Sequence, residues 1–381
     1  MDTINWSLTR RQLQQEADAA AVSGANASSQ SANVSAAANY EISAMSKVTL
    51  TGSPSVENPP ASGIYAGDTT VVRVKLASAQ RLAFSSLFLS TPPTINVQAT
   101  AKIISTGTFC VLALGKSSTT GISVSGSSSA TLGCGMATNS TGSSAINGTG
   151  SSSIDVTTLT AVGSIPASTN FGSNTKLYPH SIPQIDPFRA LPQPSVSGCQ
   201  VNQKVNSNQI KTLYPGCYSG LTINGTANLQ PGTYFIDGTG GGFSIGSQAV
   251  LNGSDVTFVL TSSSASSAPS TIAHLSVNGG ATLNLRASSS GTYAGVLFFQ
   301  DRLALDSGTN QMNGNATSTL QGAIYFPRQE LQYSGTSGMQ TDCLQIVGLR
   351  VTFTGNTTIS NNCPANSGAN AFSGVVIRLV G

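Results

Sequence analysis

Short alternating runs of apolar and polar residues dominate the chain after about residue 45 and predict β-structure. Three of these runs share an apolar-polar-apolar form: Leu221-Thr222-Ile223, Phe243-Ser244-Ile245 and Leu275-Ser276-Val277. Each is followed by a second short run and then by a longer one, such as Val256-Thr257-Phe258-Val259-Leu260. Such short strands cannot bury their apolar faces alone, whereas stacked coils that share one core can. The pattern predicts a β-solenoid over 196–381, specifically a right-handed parallel β-helix; a β-sandwich with long loops is the alternative.

The clearest helical pattern lies at the N-terminus. Residues 10–25 are mostly good helix formers without proline, and Gly24 lies where a C-terminal cap is expected. Apolar and small residues recur at three- and four-residue steps and define one packing face: Leu13, Ala17, Ala20, Ala21 and Gly24. Together with Arg11, this face is predicted to contact a partner, because small side chains let another backbone approach closely.

The regions between the helix and the repeats differ in composition. Residues 46–115 contain alternating runs, such as the one around Val71, and are predicted to form a small β module. Residues 116–195 are rich in Ser, Thr, Gly and Asn and then in Pro, which predicts a connector, although Ile122-Ser123-Val124 is a short apolar run within it. The predicted organisation is therefore a helix and linker over 1–45, followed by 46–115, 116–195 and 196–381.

Charge is sparse along the chain. Only 8% of the residues are Asp, Glu, Lys or Arg, and the formal net charge is +3. Soluble globular domains typically carry roughly 25% charged residues. A small, dispersed charge gives little attraction for phosphate, so nucleic acid is not a predicted partner. A hydroxyl-rich, weakly charged composition is common in envelope and secreted proteins.

The six cysteines form three couples that are close in sequence. The couples are Cys110 with Cys134, Cys199 with Cys217, and Cys343 with Cys363. Pairing within each couple predicts three disulfides and an oxidising compartment, although six cysteines leave about 15 connectivities open. The couples lack C-x-x-C spacing and the chain has two histidines, so neither a metal site nor a cofactor is predicted.

Parallel β-helices can carry carbohydrate-active sites, which use clusters of acidic residues together with a basic residue. The best constellation is Asp301 and Arg302 with Arg328, which follow runs expected to stack. We interpret it as a structural ion pair or a solvated turn and predict that the protein is not an enzyme; a glycan-binding or polysaccharide-degrading β-helix is the alternative. A second alternative is an ice-binding-like solenoid, but threonine pairs such as Thr352 with Thr354 do not repeat in register.

The N-terminal segment resembles that of the TadG-like proteins of the Flp, or tight-adherence, pilus assembly system. The family pattern is R-x-Q-L-Q-x-x-A-D-A-A-A-x-x-G-A. The matching residues, with the arginine displaced by one position, are Arg11, Gln12, Leu13, Gln14, Ala17, Asp18, Ala19, Ala20, Ala21, Gly24 and Ala25. In the family a membrane span precedes this motif. The residues before it here are fewer than the roughly 20 that a span requires, so we expect this chain to lack one.

Two further stretches extend the resemblance. The run around Phe84 and Phe88 is similar to a turn in these proteins, and implies a pilin-like α+β unit that extends to about residue 115. Phrases such as Leu229-Gln230-Pro231-Gly232-Thr233-Tyr234 resemble the C-terminal β-helix of TadG-related proteins. The implied fold is mainly β, with an N-terminal helix and this unit followed by a β-helix.

The resemblance also implies a function. It predicts a non-enzymatic cell-envelope protein that acts in assembly, anchoring or surface adhesion of a Flp-type pilus. The expected location is the periplasmic or extracellular face of the inner membrane. The expected partners are pilus or envelope assembly proteins, the inner membrane through a span absent from this chain, and a surface glycan.

Overall fold

The structure is a computed structural model that describes residues 2–45, 47–79, 90–314, 318–335, 339–355, 358–361 and 372–380. Within these residues it is mainly β, with two α-helices at the N-terminus and 27 strands in one hydrogen-bonded network. The chain divides into two compact units, Met1–Thr106 with Val375–Gly381, and Gly107–Gly374. The prediction of a mainly β fold led by a helix is confirmed, and the predicted turn around Phe84 and Phe88 lies outside the described residues.

The first unit combines the two helices with antiparallel strands. Its elements are α1 (Asp2–Ser29), α2 (Val34–Met45), β1 (Ser55–Glu57), β2 (Val71–Ala79) and the first part of β3 (Thr94–Ala113). β2 pairs antiparallel with both β1 and β3, and α1 packs against α2 and β2. The shared core includes Leu13, Ala17, Ala20, Ala21, Ala25, Ala38, Ile42, Val72, Val74 and Leu76.

The first helix is longer than the sequence pattern predicted. Gly24 does not end α1 but lies inside it, because the helix continues to Ser29. A Cβ atom on Gly24 would lie 3.0 Å from Cγ1 of Val72 and 3.3 Å from Cγ1 of Val34, so glycine permits a close approach here. The later part of 1–45, predicted as a linker, forms α2, which Asn33 caps by accepting the Ala36 N–H at 2.9 Å.

The second unit is built almost entirely from short strands and contains the rest of β3. In chain order the further strands are β4 (Ile122–Val124), β5 (Ser129–Thr131), β6 (Gly135–Thr138), β7 (Ile146–Gly148), β8 (Ser153–Asp155), β9 (Thr158–Ala161), β10 (Lys176–Tyr178), β11 (Gln203–Val205), β12 (Ile210–Leu213), β13 (Gly216–Tyr218), β14 (Leu221–Ile223), β15 (Thr226–Leu229), β16 (Gly232–Asp237), β17 (Phe243–Ile245), β18 (Val250–Gly253), β19 (Val256–Thr261), β20 (Leu275–Val277), β21 (Thr282–Arg286), β22 (Val296–Gln300), β23 (Thr309–Gly314), β24 (Thr319–Gly335), β25 (Met339–Gly355), β26 (Thr358–Asn361) and β27 (Phe372–Leu379). The last of these extends into the first unit.

These strands pair in three parallel ladders. Ladder A joins β11, β14, β17, β20, β23, β24, β25, β4 and β7 in that order. Ladder B joins β12, β15, β18, β21, β24, β25, β26, β5 and β8. Ladder C joins β13, β16, β19, β22, β24, β25, β3, β6, β9 and β10. The long strands β24 and β25 therefore take part in all three.

The order of strands along the ladders is not their order along the chain. Strands β4 to β10 continue the ladders beyond β25 and β26, although they precede β11 in sequence. The segment 116–195, predicted as a connector, therefore holds seven strands and adds to the ladders, because a neighbouring rung supplies the hydrogen bonds that so short a run needs. The strand-free segment is 179–202, between β10 and β11; we name it the strap.

Aromatic side chains one rung apart stack inside the second unit. The rings of Tyr234 and Phe258 lie 5.4 Å apart between centroids, and those of Phe258 and Phe298 also lie 5.4 Å apart. All three side chains are fully buried. These residues come from β16, β19 and β22, so the parallel register of ladder C brings the rings together.

Two of the three predicted disulfides are present. Cys110–Cys134 connects β3 to the residue before β6 with a Cα–Cα distance of 5.9 Å. Cys199–Cys217 connects the strap to β13 with a Cα–Cα distance of 4.6 Å. The third predicted pair, Cys343 with Cys363, lies outside the residues whose side chains the structure describes.

The two disulfides should differ in their sensitivity to mild reduction. Cys110 and Cys134 are 1% and 5% exposed, whereas Cys199 and Cys217 are partly exposed. We expect native-state reduction and alkylation to label Cys199 and Cys217 first, since a thiolate must reach the sulfur atom it attacks. Mass spectrometry of the alkylated peptides measures the order, and equal rates for both pairs would contradict it.

Enlarging a side chain in the core of the first unit should destabilise that unit. Ala20→Leu adds three carbon atoms at a position that is fully buried, which should lower the free energy of unfolding by about 1–3 kcal/mol. The matched control is Gln15→Leu on the exposed side of α1, expected to change stability by less than about 0.5 kcal/mol. Trp6 is the single tryptophan and lies in α1, so its fluorescence during urea unfolding reports this unit. Equal midpoints for the two variants would refute the packing described.

Candidate functional site

The helix face predicted to contact a partner is covered by the first unit itself. Arg11 is exposed, but the other five residues of the predicted face are buried: Leu13, Ala17, Ala20, Ala21 and Gly24. They pack against α2 and β2, so their prediction as a docking face is wrong. Spacing identified the buried face correctly but could not identify what covers it. In the described part of the chain, we find no helix with the length and apolarity needed to cross a bilayer.

Asp301, from the predicted acidic and basic constellation, is fully buried at the end of β22. Its carboxylate accepts hydrogen bonds from Oγ1 of Thr261 at 2.6 Å and from the backbone N–H of Leu303 at 2.8 Å. It also accepts a hydrogen bond from Nε2 of Gln193 in the strap. Asp301 therefore holds a turn and the strap in place.

Arg302 binds the strap as well. Its Nη1 and Nη2 atoms donate to the carbonyl oxygens of Leu191 at 2.8 Å and Phe188 at 2.5 Å. Its Nε atom donates to the Tyr325 hydroxyl at 2.8 Å, and the guanidinium lies 5.3 Å and 5.4 Å from the ring centroids of Phe299 and Tyr325. Cation–π contacts of this kind favour a partly desolvated arginine.

Tyr325 connects this arginine to a carboxylate of the strap. Burial raises the pKa of the Tyr325 phenol, and the hydrogen bond to Asp186 raises it further. The phenol is therefore protonated at neutral pH and donates to Oδ2 of Asp186 at 2.7 Å. The Phe188 ring packs edge-on against Tyr325, with centroids 5.3 Å apart. Asp186 is not among the residues predicted from sequence, although an acidic and an aromatic residue between prolines are signals of an anchored extended segment.

Arg328 does not join the other two residues of the constellation. It is exposed, and its charge acts on Asp306. The hydrogen bond from Arg350 holds the pKa of the Asp306 carboxyl below its ordinary value, and Arg328 adds a smaller electrostatic effect. Asp301 and Arg302 contact the strap, so the structure does not assemble these three residues into one site.

Further contacts fix the strap along ladder C. The Ser181 N–H donates to the Ala161 carbonyl oxygen at 2.9 Å, next to β9. The Asn139 side chain then binds the backbone of Gln184 twice, donating at 2.8 Å and accepting at 2.7 Å. Together with the contacts to Tyr325, Arg302 and Asp301, these hydrogen bonds hold the strap against the outer side of ladder C.

Ladder A instead presents a single file of polar side chains. Strand β11 places the charged Lys204 at the register position that Thr222 occupies, and every other strand of the ladder places one uncharged polar residue there. We call these uncharged residues the polar row: Thr222, Ser244, Ser276, Gln311, Gln332, Thr352, Ser123 and Asn147. All are partly or fully exposed. Neighbouring members are about 4.8 Å apart, the strand spacing of a sheet. The row is the candidate interaction surface of this unit.

Ladder B carries a shorter asparagine stack. Nδ2 of Asn252 donates to Oδ1 of Asn228 at 3.1 Å, and Nδ2 of Asn284 donates to Oδ1 of Asn252 at 2.9 Å. Such amide ladders stabilise in-register parallel strands. The stack uses its hydrogen bonds internally, which leaves the polar row as the more open surface.

Neither a metal centre nor a relative identifies the site. Among the described residues, no group of three or more His, Cys, Asp and Glu side chains is arranged to hold a metal ion. Comparison of the chain with protein-family models, curated proteins and solved structures finds no match. The functional proposal therefore depends on the residues described above.

Loss of the Arg302 anchor should release the strap. Arg302→Ala removes two charge-assisted hydrogen bonds to the strap, which should reduce the free energy of strap opening by about 3 kcal/mol and raise the open population on the order of 100-fold. Trypsin cleavage after the exposed Arg189 within the strap should accelerate accordingly, as measured by mass spectrometry.

The matched control for this experiment is Arg328→Ala, which removes an exposed arginine of the same predicted constellation. It should leave cleavage after Arg189 unchanged. If both variants accelerate cleavage equally, Arg302 has no special role in holding the strap.

Proposed function

We propose that this chain is a non-enzymatic cell-envelope protein that acts in assembly, anchoring or surface adhesion of a Flp-type pilus. The observation that carries the proposal is the combination of the TadG-like motif in α1 with a large second unit of parallel ladders. In this interpretation the first unit is a pilin-like α+β domain, and the second unit presents the polar row to a partner. The partners we propose are pilus or envelope assembly proteins.

The three ladders are best interpreted as the faces of a right-handed parallel β-helix. Strands that are neighbours in a ladder, such as β14, β17 and β20, are separated in sequence by one strand of each other ladder. Each connection is thus a crossover between parallel strands, and such crossovers are right-handed in about 98% of cases. A solenoid of this kind gives a rigid support for a binding surface.

The chemistry of the chain supports a location outside the cytoplasm. Two disulfides close loops between residues 24 and 18 positions apart in sequence. Bonds of this kind persist in oxidising compartments. We therefore place the protein on the periplasmic or extracellular face of the inner membrane.

The polar row gives specific support to one second candidate, a glycan-binding function. Hydroxyl and amide side chains at a regular spacing of about 4.8 Å can pair with the hydroxyl groups of an extended polysaccharide. Cleavage of a polysaccharide by hydrolysis or elimination receives less support, since the candidate acidic residue, Asp301, is buried under the strap. Ice binding also receives less support, because the row mixes Ser, Thr, Gln and Asn in place of repeated threonines.

Site-specific crosslinking in the bacterium that encodes this chain tests the proposal. A photoreactive amino acid at Ser276, in the middle of the polar row, should capture a pilus or envelope assembly protein. The same amino acid at Ser289, an exposed position outside the row, should not. Deletion of the gene should also reduce the number of surface pili, as counted by electron microscopy.

Two results would contradict the pilus function. One is an unchanged number of pili after deletion, and the other is identical crosslinking from both positions. Retention of the purified chain on a polysaccharide column, lost when Ser244 and Ser276 are replaced together by Glu, would favour the glycan-binding candidate instead.

A further inference from the structure

A cavity of about 690 Å³ lies in the first unit, between α1, α2 and the segment that leads to β1. Cavities of this size accommodate small ligands or a side chain from another molecule. Its wall has a polar part, to which Asn39, Ser43 and Thr49 contribute. The apolar part includes Ile42, Val48 and Leu50. The cavity is separate from the polar row, and nothing in the proposed function uses it.

Glu16 is the acidic residue of this wall, and Lys47 is the basic one. It projects from α1, is fully buried, and accepts the backbone N–H of Lys47 through Oε1 at 2.8 Å. Its second oxygen, Oε2, is buried and has no hydrogen-bond partner within the described structure. A buried carboxylate with an unsatisfied oxygen is costly. A hydrogen-bond donor that reaches Oε2 when the Glu16 side chain turns toward the cavity would therefore gain much of that cost back as affinity.

The chemistry of the wall restricts the donor. A carboxylate favours a cation over a neutral donor, because charge-assisted hydrogen bonds are the stronger ones. A divalent metal requires several oxygen ligands, and the described residues contain no group of three acidic or metal-binding side chains here. The apolar part of the wall suits an aliphatic stem. A singly charged ammonium group on an aliphatic chain meets all three conditions.

We propose that this cavity binds a primary ammonium group carried on an aliphatic chain, with Oε2 of Glu16 as the hydrogen-bond acceptor. The ammonium enters with its stem against Ile42, Val48 and Leu50. The inference stands on the cavity and the unpartnered oxygen, so it is independent of the pilus function and of the polar row.

Titration with hexylamine and with its neutral counterpart hexanol tests the site. The wild-type chain should bind hexylamine, as measured by NMR titration, and should bind hexanol at least roughly 10-fold more weakly. Glu16→Gln keeps the size of the side chain but removes its charge, and should weaken hexylamine binding by a similar factor. Glu41→Gln makes the same change on α2 outside the cavity wall, and should leave binding unchanged.

Folding of each variant is checked through the urea unfolding midpoint and Trp6 fluorescence. If Glu16→Gln does not fold, the comparison of hexylamine with hexanol on the wild-type chain still decides the question. Three results would each overturn the proposal. They are equal binding of the two probes, unchanged hexylamine binding by a folded Glu16→Gln variant, and no detectable binding at hexylamine concentrations well above ~1 mM.

One further variant separates an external ligand from the chain's own lysine. If hexylamine binds only after Lys47→Ala, the side chain of Lys47 fills the cavity and the proposal is wrong. Two natural sources of the ammonium are then compared in the wild-type chain. Preference for Nα-acetyl-lysine amide supports a lysine side chain, and preference for leucine amide supports a free amino terminus.

Discussion

The second unit depends on backbone hydrogen bonds between strands that are mostly three to six residues long. A strand this short is too small to bury an apolar face or satisfy its own N–H and C=O groups, so it is stable only when it pairs with neighbouring strands. Parallel pairing in three ladders supplies both neighbours and aligns the inward side chains, such as Phe258 between Tyr234 and Phe298. The same constraint explains why β4 to β10 attach beyond β25 and β26.

This stacking order places β10 and β11 at opposite ends of the ladders, and the strap connects them. The chain must pass from β10, at one end of ladder C, to β11 at the opposite end of ladder A. An extended segment with several prolines suits that path, but its backbone groups need partners along the way. Asn139 and Arg302 supply such partners, and Tyr325 and Asp301 add hydrogen bonds to the strap side chains of Asp186 and Gln193. A buried acid next to an arginine, which in sequence resembles a catalytic pair, therefore serves to fasten a connection.

Sequence predicted those features of the fold that a local pattern determines. The aligned runs that start at Leu221, Phe243 and Leu275 pair in the predicted register, because one polar residue between two buried ones leaves a single alignment. In the second short runs the pattern alone does not fix the register: Ala227 pairs with Leu251, although a partner two residues earlier, Ala249, would preserve the alternation equally well. A period of two leaves such shifts open, since they preserve the buried face. Composition alone also gave no indication of the strands within 116–195, because their stability comes from pairing with strands that are distant in sequence.

The helix motif illustrates the same limit at the level of function. Leu13, Ala17 and Ala20 match the TadG-like pattern, and each of them packs inside the first unit. The match is therefore explained by the need to fold this unit, and similarity in these positions argues for a related fold more directly than for a related partner. Glu16 differs, because it occupies a position that the pattern leaves variable and has an oxygen without a hydrogen-bond partner among the described residues. Recognition by this unit is thus expected to reside in residues that the motif does not specify.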